Sequence, residues 1–280
     1  MNLRRFIPIK RFRDPPPVVA VLRLAGVIGR VGPLRAGLQL AGLEKQIERA
    51  FSLSHLSAVA LAINSPGGSA VQSAQICGRI RALAEEKDVP VIAFAEDVAA
   101  SGGYWLALAG DEIYADGASI VGSIGVLFQG FGLNDAIARL GIERRVHTAG
   151  ARKGALDAFQ PENAEDVAML ESVQEDIHAA FMDMVRARRG DRLRGEEEDL
   201  FSGAFWSGKR AVDLGLVDGL GDLRSVMRAR FGDRVRFRAV DGDRRWWRAR
   251  LGVKSADPLA LGEGVIAAIE ERLTWSRYGL

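Results

Sequence analysis

The sequence is short of cysteine, of long hydrophobic runs and of net charge. Cys77 is the only cysteine among 280 residues, so no internal disulfide bond can form, and its apolar helical neighbours predict a buried thiol. The 38 basic and 36 acidic residues leave a formal net charge of +2, which argues against nucleic acid as a partner. No run reaches the ~18 apolar residues that cross a bilayer. We therefore expect no transmembrane segment, and a location in the cytoplasm or at the periphery of the inner membrane.

Histidine is also scarce, and none of it belongs to a hydrolase signature. We interpret His55, His147 and His178 as surface or partly buried side chains. The sequence contains no Gly-x-Ser-x-Gly motif. Glu175 and His178 form a single Glu-x-x-His pair, whereas the corresponding metal centres need two such pairs and further carboxylates. The sequence therefore predicts neither a metal nor a cofactor.

The hydrophobic residues are numerous enough for a core and follow two alternating patterns. Short apolar runs typical of buried strands alternate with stretches of helical spacing. Strands are predicted at Val18–Leu24, Ala58–Ile63, Val89–Ala95 and Ile142–His147, and helices at Gly37–Phe51, Ser69–Glu86, Glu162–Arg188 and Leu259–Leu273. This alternation predicts an α/β fold with a mainly parallel sheet.

Composition divides the chain into three regions. Residues 1–17 form a basic tail with a proline spacer, residues 18–240 carry the alternating elements, and residues 241–280 combine an Arg/Trp-rich linker with a terminal helix. We predict one folded domain over residues 18–240. Residues 1–14 interleave basic and apolar side chains, which fits a solvated tail and also permits a peripheral contact with an anionic membrane surface.

A serine on a glycine turn is the first candidate for chemistry. Ser101 follows a predicted strand and is followed by Gly102, Gly103 and a short helical stretch. Glycine allows the backbone angles of a tight turn and the close approach of another chain. The N–H groups at the start of the next helix would face a developing negative charge. We predict that Ser101 is a nucleophile.

Lysine is the remaining candidate for the base that Ser101 needs. Lys153 lies in the Gly/Ala-rich loop 149–155, whereas most other lysines lie in charged, solvent-facing sequence. A free lysine has a pKa near ~10.4, and a base near pH 7 needs a pKa about 3 lower, which costs about 4 kcal/mol. Desolvation among small neighbours acts in that direction. The sequence of the loop, taken by itself, is also compatible with an exposed Lys153 that has no catalytic role.

Five motifs in a fixed order resemble those of a known family. They are Asn64–Ser69, Asp97–Tyr104, Val121–Val126, the Lys153 loop and the segment from residue 208 to 219. In this order and at these separations they resemble the signal peptide peptidase (SppA) family, over roughly residues 18–230. Its members are Ser/Lys serine proteases with a ClpP/crotonase-like fold, a spiral of ββα units around a mainly parallel sheet. The resemblance implies that fold and a peptidase domain here.

The resemblance also implies a role for each matching residue. Ser101 would be the nucleophile and Lys153 the general base. Gly68 and Gly102 would donate backbone N–H groups to the oxyanion, each worth ~3–4 kcal/mol in the transition state. Ser123 would accept a hydrogen bond from the Lys153 ammonium and so orient it.

Substrate contacts are predicted around the same turns. Gly67 would let an extended peptide pair with the edge of a strand. Tyr104 and Ile124 are predicted to line shallow apolar pockets. Trp105 and Leu127 are further candidates for these pockets, but for these two residues we favour a position in the core.

The resemblance implies an assembly as well. Family members form rings or domes in which the serine and the lysine meet between protomers, so we expect a homo-oligomer with active sites at protomer interfaces. The chain departs from the family pattern in two ways, with one copy of the protease unit and no transmembrane anchor.

The combined prediction is a serine endopeptidase that hydrolyses extended peptides, such as signal-peptide remnants or membrane-protein fragments. A crotonase-like acyl-CoA enzyme would share the glycine-rich turns but would place carboxylates at its site. An inactive scaffold of the same fold would not need both Ser101 and Lys153. A membrane-binding module built on Arg/Trp-rich ends would not explain the Gly-Gly turns in the middle of the chain.

Overall fold

The computed structural model describes residues 15–30, 37–240 and 272–280. Its strands form one eight-stranded sheet. The strands are β1 (Val18–Ala25), β2 (Leu56–Ser65), β3 (Val91–Ala100), β4 (Glu112–Ala115), β5 (Ile120–Gly122), β6 (Phe205–Ser207), β7 (Gly219–Leu220) and β8 (Arg236–Ala239). The helices are α1 (Leu40–Phe51), α2 (Ala70–Lys87), α3 (Gly102–Ala107), α4 (Asn134–Arg139), α5 (Ala164–Arg189), α6 (Glu197–Leu200), α7 (Gly208–Asp213) and α8 (Leu223–Phe231).

Strand β3 lies at the centre of the sheet, in which six strands follow the order β6-β5-β3-β2-β1-β8, while β4 pairs with β3 and β7 pairs with β4. One edge of β3 pairs with β2. On the other edge, Ile92–Ala95 pairs with β4, and Val98–Ala100 pairs with β5. Every strand pair is parallel except β5 with β6. The sheet is therefore mainly parallel as predicted, and β3 changes partner just before Ser101.

Side chains of the central strands alternate between two hydrophobic clusters, as the period of two in a strand requires. On β2, Leu61 and Ile63 belong to the larger cluster, which also contains buried residues of α1 and α2. Ala58 and Ala60 belong to the smaller cluster on the opposite face, with Met227 of α8. Both faces of β2 are thus buried, which explains its nearly continuous apolar sequence.

Cys77 is buried in the larger cluster, as the sequence predicted. Burial raises the pKa of the Cys77 thiol to about 11, against smaller opposing effects of Arg188 and Arg81. The thiol is therefore protonated at neutral pH and packs as a small hydrophobic side chain.

Two predicted elements have no counterpart among the elements described above. The predicted strand at Ile142–His147 is wrong, since these residues form exposed irregular backbone. Ile142 and Val146 would lie on the same face of a strand, but no strand of the described residues pairs with this segment to form a ladder. The predicted helix Leu259–Leu273 lies outside the described residues except for positions 272 and 273, which are helical.

The two predicted terminal regions, 1–17 and 241–280, lie mostly outside the described residues. Residues 1–14, interpreted as a solvated tail with a peripheral membrane contact as the alternative, and residues 241–271 lie outside the described residues. Within the described ranges, no helix combines the length and the apolar character needed to cross a membrane.

One buried ion pair joins the end of α5 to the turn before β7. The Arg189 guanidinium is almost fully buried, donates to both carboxylate oxygens of Asp218 at 2.8 and 3.1 Å, and donates to the Gly215 carbonyl at 2.8 Å. Asp218 also accepts from the Ile113 N–H at 2.7 Å. Burial pushes the pKa of Asp218 up, but the Arg189 and Ile113 hydrogen bonds and the charges of Arg189 and Arg192 outweigh it, so the pKa lies below its usual value.

Asp218→Asn is expected to lower the free energy of unfolding by about 3 kcal/mol, because it leaves the buried Arg189 without a counter-charge. Because the pKa of Asp218 is lowered in the folded protein, its contribution is complete above about pH 4 and is lost as the pH falls through the folded pKa. Urea unfolding at several pH values measures both effects.

The matched control is Asp213→Asn, whose partner Arg210 lies 3.7 Å away with both side chains 60% exposed. This variant is expected to unfold like the wild type, since exposed ion pairs contribute little. Equal urea midpoints for Asp218→Asn and Asp213→Asn would contradict the assigned role of the buried pair.

Candidate active site

Ser101 occupies a strained turn between β3 and α3. Its backbone angles are φ 53° and ψ −123°, a region that residues other than glycine rarely adopt. Two hydrogen bonds fix the turn: the Ser101 N–H donates to the Gly122 carbonyl at 2.8 Å, and the Ser101 carbonyl accepts from the Trp105 N–H at 3.0 Å. The serine side chain is therefore held at one place at the end of the central strand.

A second turn, Gly67–Gly68, packs directly against Ser101. Both glycines have positive φ, at 103° and 139°. A Cβ on Gly67 would come within 2.7 Å of the Ser101 Cβ, and a Cβ on Gly68 would come within 2.1 Å of the Ile28 carbonyl oxygen. Ile28 holds the turn by donating to the Gly67 carbonyl at 2.8 Å and accepting from the Ser69 N–H at 2.9 Å. Only glycine fits at these two positions.

The two predicted oxyanion donors lie beside the serine with their N–H groups available. Gly68 and Gly102 line the same cavity as Ser101. Within residues 15–30, 37–240 and 272–280, neither N–H donates a hydrogen bond. In the same ranges the Ser101 hydroxyl forms no hydrogen bond either. A carbonyl placed at Ser101 would therefore meet a free hydroxyl and two free donors.

The cavity has a volume of about 730 Å³ and an aromatic wall. The rings of Trp105 and Phe181 line it and stack with their centroids 4.5 Å apart and an angle of 14° between their planes. Phe201 and Leu127 line it as well. No aspartate or glutamate stands among its described lining residues.

The predicted substrate contacts Tyr104 and Ile124 lie in the core instead of on this wall. Both side chains are fully buried, and neither lines the cavity. The Tyr104 hydroxyl donates to the Leu216 carbonyl at 2.7 Å. The side chains of successive helical residues point in directions about 100° apart. On α3, the Trp105 side chain therefore reaches the cavity, while the Tyr104 side chain points into the core. Trp105 belongs to the larger hydrophobic cluster, as favoured, and also lines the cavity, whereas Leu127, for which the core was favoured, is exposed and lines the cavity.

Sequence reasoning missed His178, which lines the cavity from α5. Its Nε2 atom and the Trp105 Nε1 atom are buried without a hydrogen-bond partner in the described part of the chain. His178 precedes Phe181 by three positions, a spacing that places both side chains on one face of the helix. That spacing is the signal that could have indicated a histidine near the aromatic wall.

Lys153 lies apart from Ser101 in the single chain. Its side chain is exposed, and it does not line the cavity. Its ammonium forms no ion pair or hydrogen bond with the described residues. The structure therefore brings Ser101, Gly68, Gly102 and Ser123 together but leaves the predicted base outside the group.

Lys153 belongs to an exposed segment that we call the arm, residues 127–160. None of its residues is buried, although many are apolar. Its exposed apolar side chains include Leu127, Phe128, Phe131, Leu140, Ile142 and Val146. Phe131 is 80% exposed and Leu140 is 73% exposed. A contiguous exposed segment of this composition is typical of a surface that binds another chain.

Ser123 lines the cavity but has a different hydrogen-bond partner from the one predicted. Its backbone has a positive φ of 52°, and its N–H donates to the Ala204 carbonyl at 2.7 Å. Its Oγ atom accepts a hydrogen bond from the Tyr278 hydroxyl at 3.3 Å. Its predicted contact with the Lys153 ammonium is not formed within one chain and stays a prediction.

Comparison with known proteins places this arrangement in a family. Residues 83–231, more than half of the chain, match the model of Peptidase family S49. The chain is 49% identical over 288 residues to a Brucella abortus protein named Na(+)/H(+) antiporter NhaA, a match covering 99% of the chain and 39% of that protein. It is 33% identical over 210 residues to "Serine protease SPPA, chloroplastic" of Arabidopsis thaliana, covering 73% of the chain and 31% of that protein. The chain thus spans well under half of the length of these relatives.

The fold has a counterpart among solved structures. The 1510-N membrane-bound stomatin-specific protease superposes with a TM-score of 0.50, covering 81% of this chain and 98% of that chain at 14% identity. At this identity the similarity concerns the fold alone. It confirms the predicted α/β fold of the ClpP/crotonase-like type.

Gly67→Ala is expected to lower the free energy of unfolding by about 1–3 kcal/mol, because the new Cβ meets Ser101 and the backbone has a positive φ. The control is Gly78→Ala, in the middle of α2, where an added Cβ meets nothing within 4 Å. This control is expected to gain about 0.5–1 kcal/mol. Thermal unfolding of both variants measures the difference, and a Gly67→Ala variant as stable as Gly78→Ala would contradict the described packing.

Proposed function

Because the chain belongs to Peptidase family S49, we propose that it is a serine endopeptidase with Ser101 as nucleophile and Lys153 as general base. One observation supports the proposal above all: Ser101 has a free hydroxyl on a strained turn, and two free N–H donors line the same cavity. This is the arrangement that acyl transfer requires, a nucleophile beside an oxyanion site.

The chemistry follows from these groups. The neutral Lys153 amine takes the proton of the Ser101 hydroxyl while Oγ forms a bond to the substrate carbonyl carbon. The N–H groups of Gly68 and Gly102 bind the oxyanion. Lys153 then gives its proton to the leaving amine as the peptide C–N bond breaks, and an acyl ester remains on Ser101.

The second half reaction repeats these roles with water as the nucleophile. Lys153 takes a proton from the attacking water, and the two N–H donors bind the second oxyanion. When the ester bond breaks, the proton returns to the Ser101 oxygen and the carboxylic acid product leaves. The enzyme then has its starting protonation state.

In this proposal, Lys153 reaches Ser101 from a second copy of the chain. The exposed arm supports this arrangement, because its apolar side chains are exposed to solvent and because Lys153 lies outside the cavity of its own chain. Docking the arm on a neighbouring protomer would bury those side chains and desolvate the lysine together. The functional protein is then a homo-oligomer whose sites lie between protomers.

The proposed substrate is an extended peptide. Relatives carry names such as "Putative signal peptide peptidase SppA", which supports signal-peptide remnants or membrane-protein fragments as substrates. The aromatic wall of Trp105, Phe181 and Phe201 supports apolar side chains beside the cleaved bond. The absence of carboxylates among the described lining residues weighs against the alternative of a crotonase-like acyl-CoA enzyme.

Hydrolysis of a fluorogenic peptide is expected to be lost in both Ser101→Ala and Lys153→Ala, because each removes a group that the proton transfers need. His178→Gln is the matched variant, since His178 is the histidine that lines the cavity. It is expected to keep kcat within about tenfold of the wild type. A His178→Gln variant as inactive as Ser101→Ala would show that the histidine, and not Lys153, is the base.

Mixing the two inactive variants tests whether the site is shared. If Ser101 and Lys153 come from different protomers, a mixed oligomer of Ser101→Ala and Lys153→Ala contains some intact sites. After dissociation and reassembly at equal amounts, we expect about a quarter of wild-type activity. A mixture that stays inactive while the two variants co-assemble would contradict the shared site.

A further inference from the structure

The described C-terminal residues, 272–280, reach the candidate active site: Thr274 and Arg277 line its cavity, and Tyr278 contacts Ser123 from behind. The Tyr278 side chain is 7% exposed, and its hydroxyl donates to the Ser123 Oγ atom at 3.3 Å. Tyr278 lies outside residues 83–231, the part of the chain that matches the family model. Neither the family match nor the sequence pattern gives it a role.

The ring of Tyr278 is built into the fold. It forms a small cluster with Val98 and Ala100, the last part of β3 before Ser101. Its ring also meets the edge of Phe205, with the centroids 5.3 Å apart and an angle of 71° between the planes. These contacts hold the hydroxyl at a fixed place relative to the strand that ends at Ser101.

Tyr278 approaches Ser123 from outside the cavity that contains Ser101. Ser123 lines that cavity, and Tyr278 does not. Tyr278 instead lines a separate cavity of about 890 Å³, whose other lining residues include Phe94 and Phe237. Phe94 belongs to the smaller hydrophobic cluster, on the sheet face opposite to α1 and α2. The tyrosine therefore leaves the space for a substrate open.

We propose that Tyr278 is a positioning residue that acts through Ser123, an inference that rests on the proposed function. A serine hydroxyl has two acceptor lone pairs and one proton. The Tyr278 hydroxyl occupies one lone pair and so fixes the orientation of the Ser123 hydroxyl. The second lone pair is then available to the Lys153 ammonium, which Ser123 orients toward Ser101.

Tyr278→Phe removes only the hydroxyl and keeps the ring contacts. We expect kcat on a fluorogenic peptide to fall about threefold to tenfold, the effect of one lost hydrogen bond, with KM unchanged and the thermal midpoint lowered by only a few degrees. The acidic limb of the kcat/KM profile should move to lower pH, because the Lys153 ammonium loses a well-oriented acceptor.

A double-mutant cycle separates this role from general packing. Ser123→Ala should show the same direction of change, and Tyr278→Phe should have no further effect in the Ser123→Ala background, because the tyrosine acts through that serine. Phe205→Leu is the packing control. It removes the ring contact but keeps both hydroxyls, so its pH profile should match that of the wild type.

Three results would overturn the inference. The first is a Tyr278→Phe variant with the kcat and the pH profile of the wild type, and the second is additive losses of kcat in the double variant. The third is a Tyr278→Phe variant with higher activity than the wild type, which would make the C-terminal residues an inhibitory contact. These results leave the peptidase proposal standing, since the wild type still cleaves the peptide. A wild type that cleaves no peptide would instead overturn the peptidase proposal, and the role of Tyr278 with it.

Discussion

The left-handed backbone of Ser101 is the constraint on which the rest of the site depends. Such a conformation costs of order 1–3 kcal/mol for a residue with a side chain. Here it is held by the hydrogen bonds to Gly122 and Trp105 and by the close packing of Gly67. The last residues of β3 pair with β5 instead of β4, and the hydrogen bond from Ser101 to Gly122 continues this pairing into the turn. The strain therefore presents one hydroxyl to a cavity with free N–H donors on its wall.

The parts of the fold and site that local signals determine were predictable from the sequence. Helix α2 begins and ends within one residue of the predicted Ser69–Glu86, with the Ser69 hydroxyl accepting a hydrogen bond from the Gln72 N–H of its first turn. The buried strands β2 and β3 follow from their apolar runs. Ser101 and Gly68 stand out because glycines beside them mark turns where the chain must adopt unusual angles. These signals act over a few residues, which is why a sequence can show them.

The remaining features depend on contacts that a local pattern does not contain. The hydroxyls of Tyr278 and Ser123 meet across 155 positions of the chain, and neither neighbourhood indicates the other. Tyr104 was predicted to line a pocket but is buried in the core, because the packing of α3 decides which of its side chains reach the cavity. The alternation around Ile142 favoured a strand, but a strand forms only where a neighbour supplies the ladder. In the proposed assembly, the neighbour of that segment is another protomer.

Peptide mapping after treatment with a fluorophosphonate tests most directly whether Ser101 is a nucleophile. Such probes form a covalent bond only with a serine oxygen that is activated and beside an oxyanion site. The predicted result is a single adduct on Ser101 in the folded protein and no adduct after denaturation. The absence of any adduct on the assembled wild type, or similar yields on several exposed serines, would contradict the central claim.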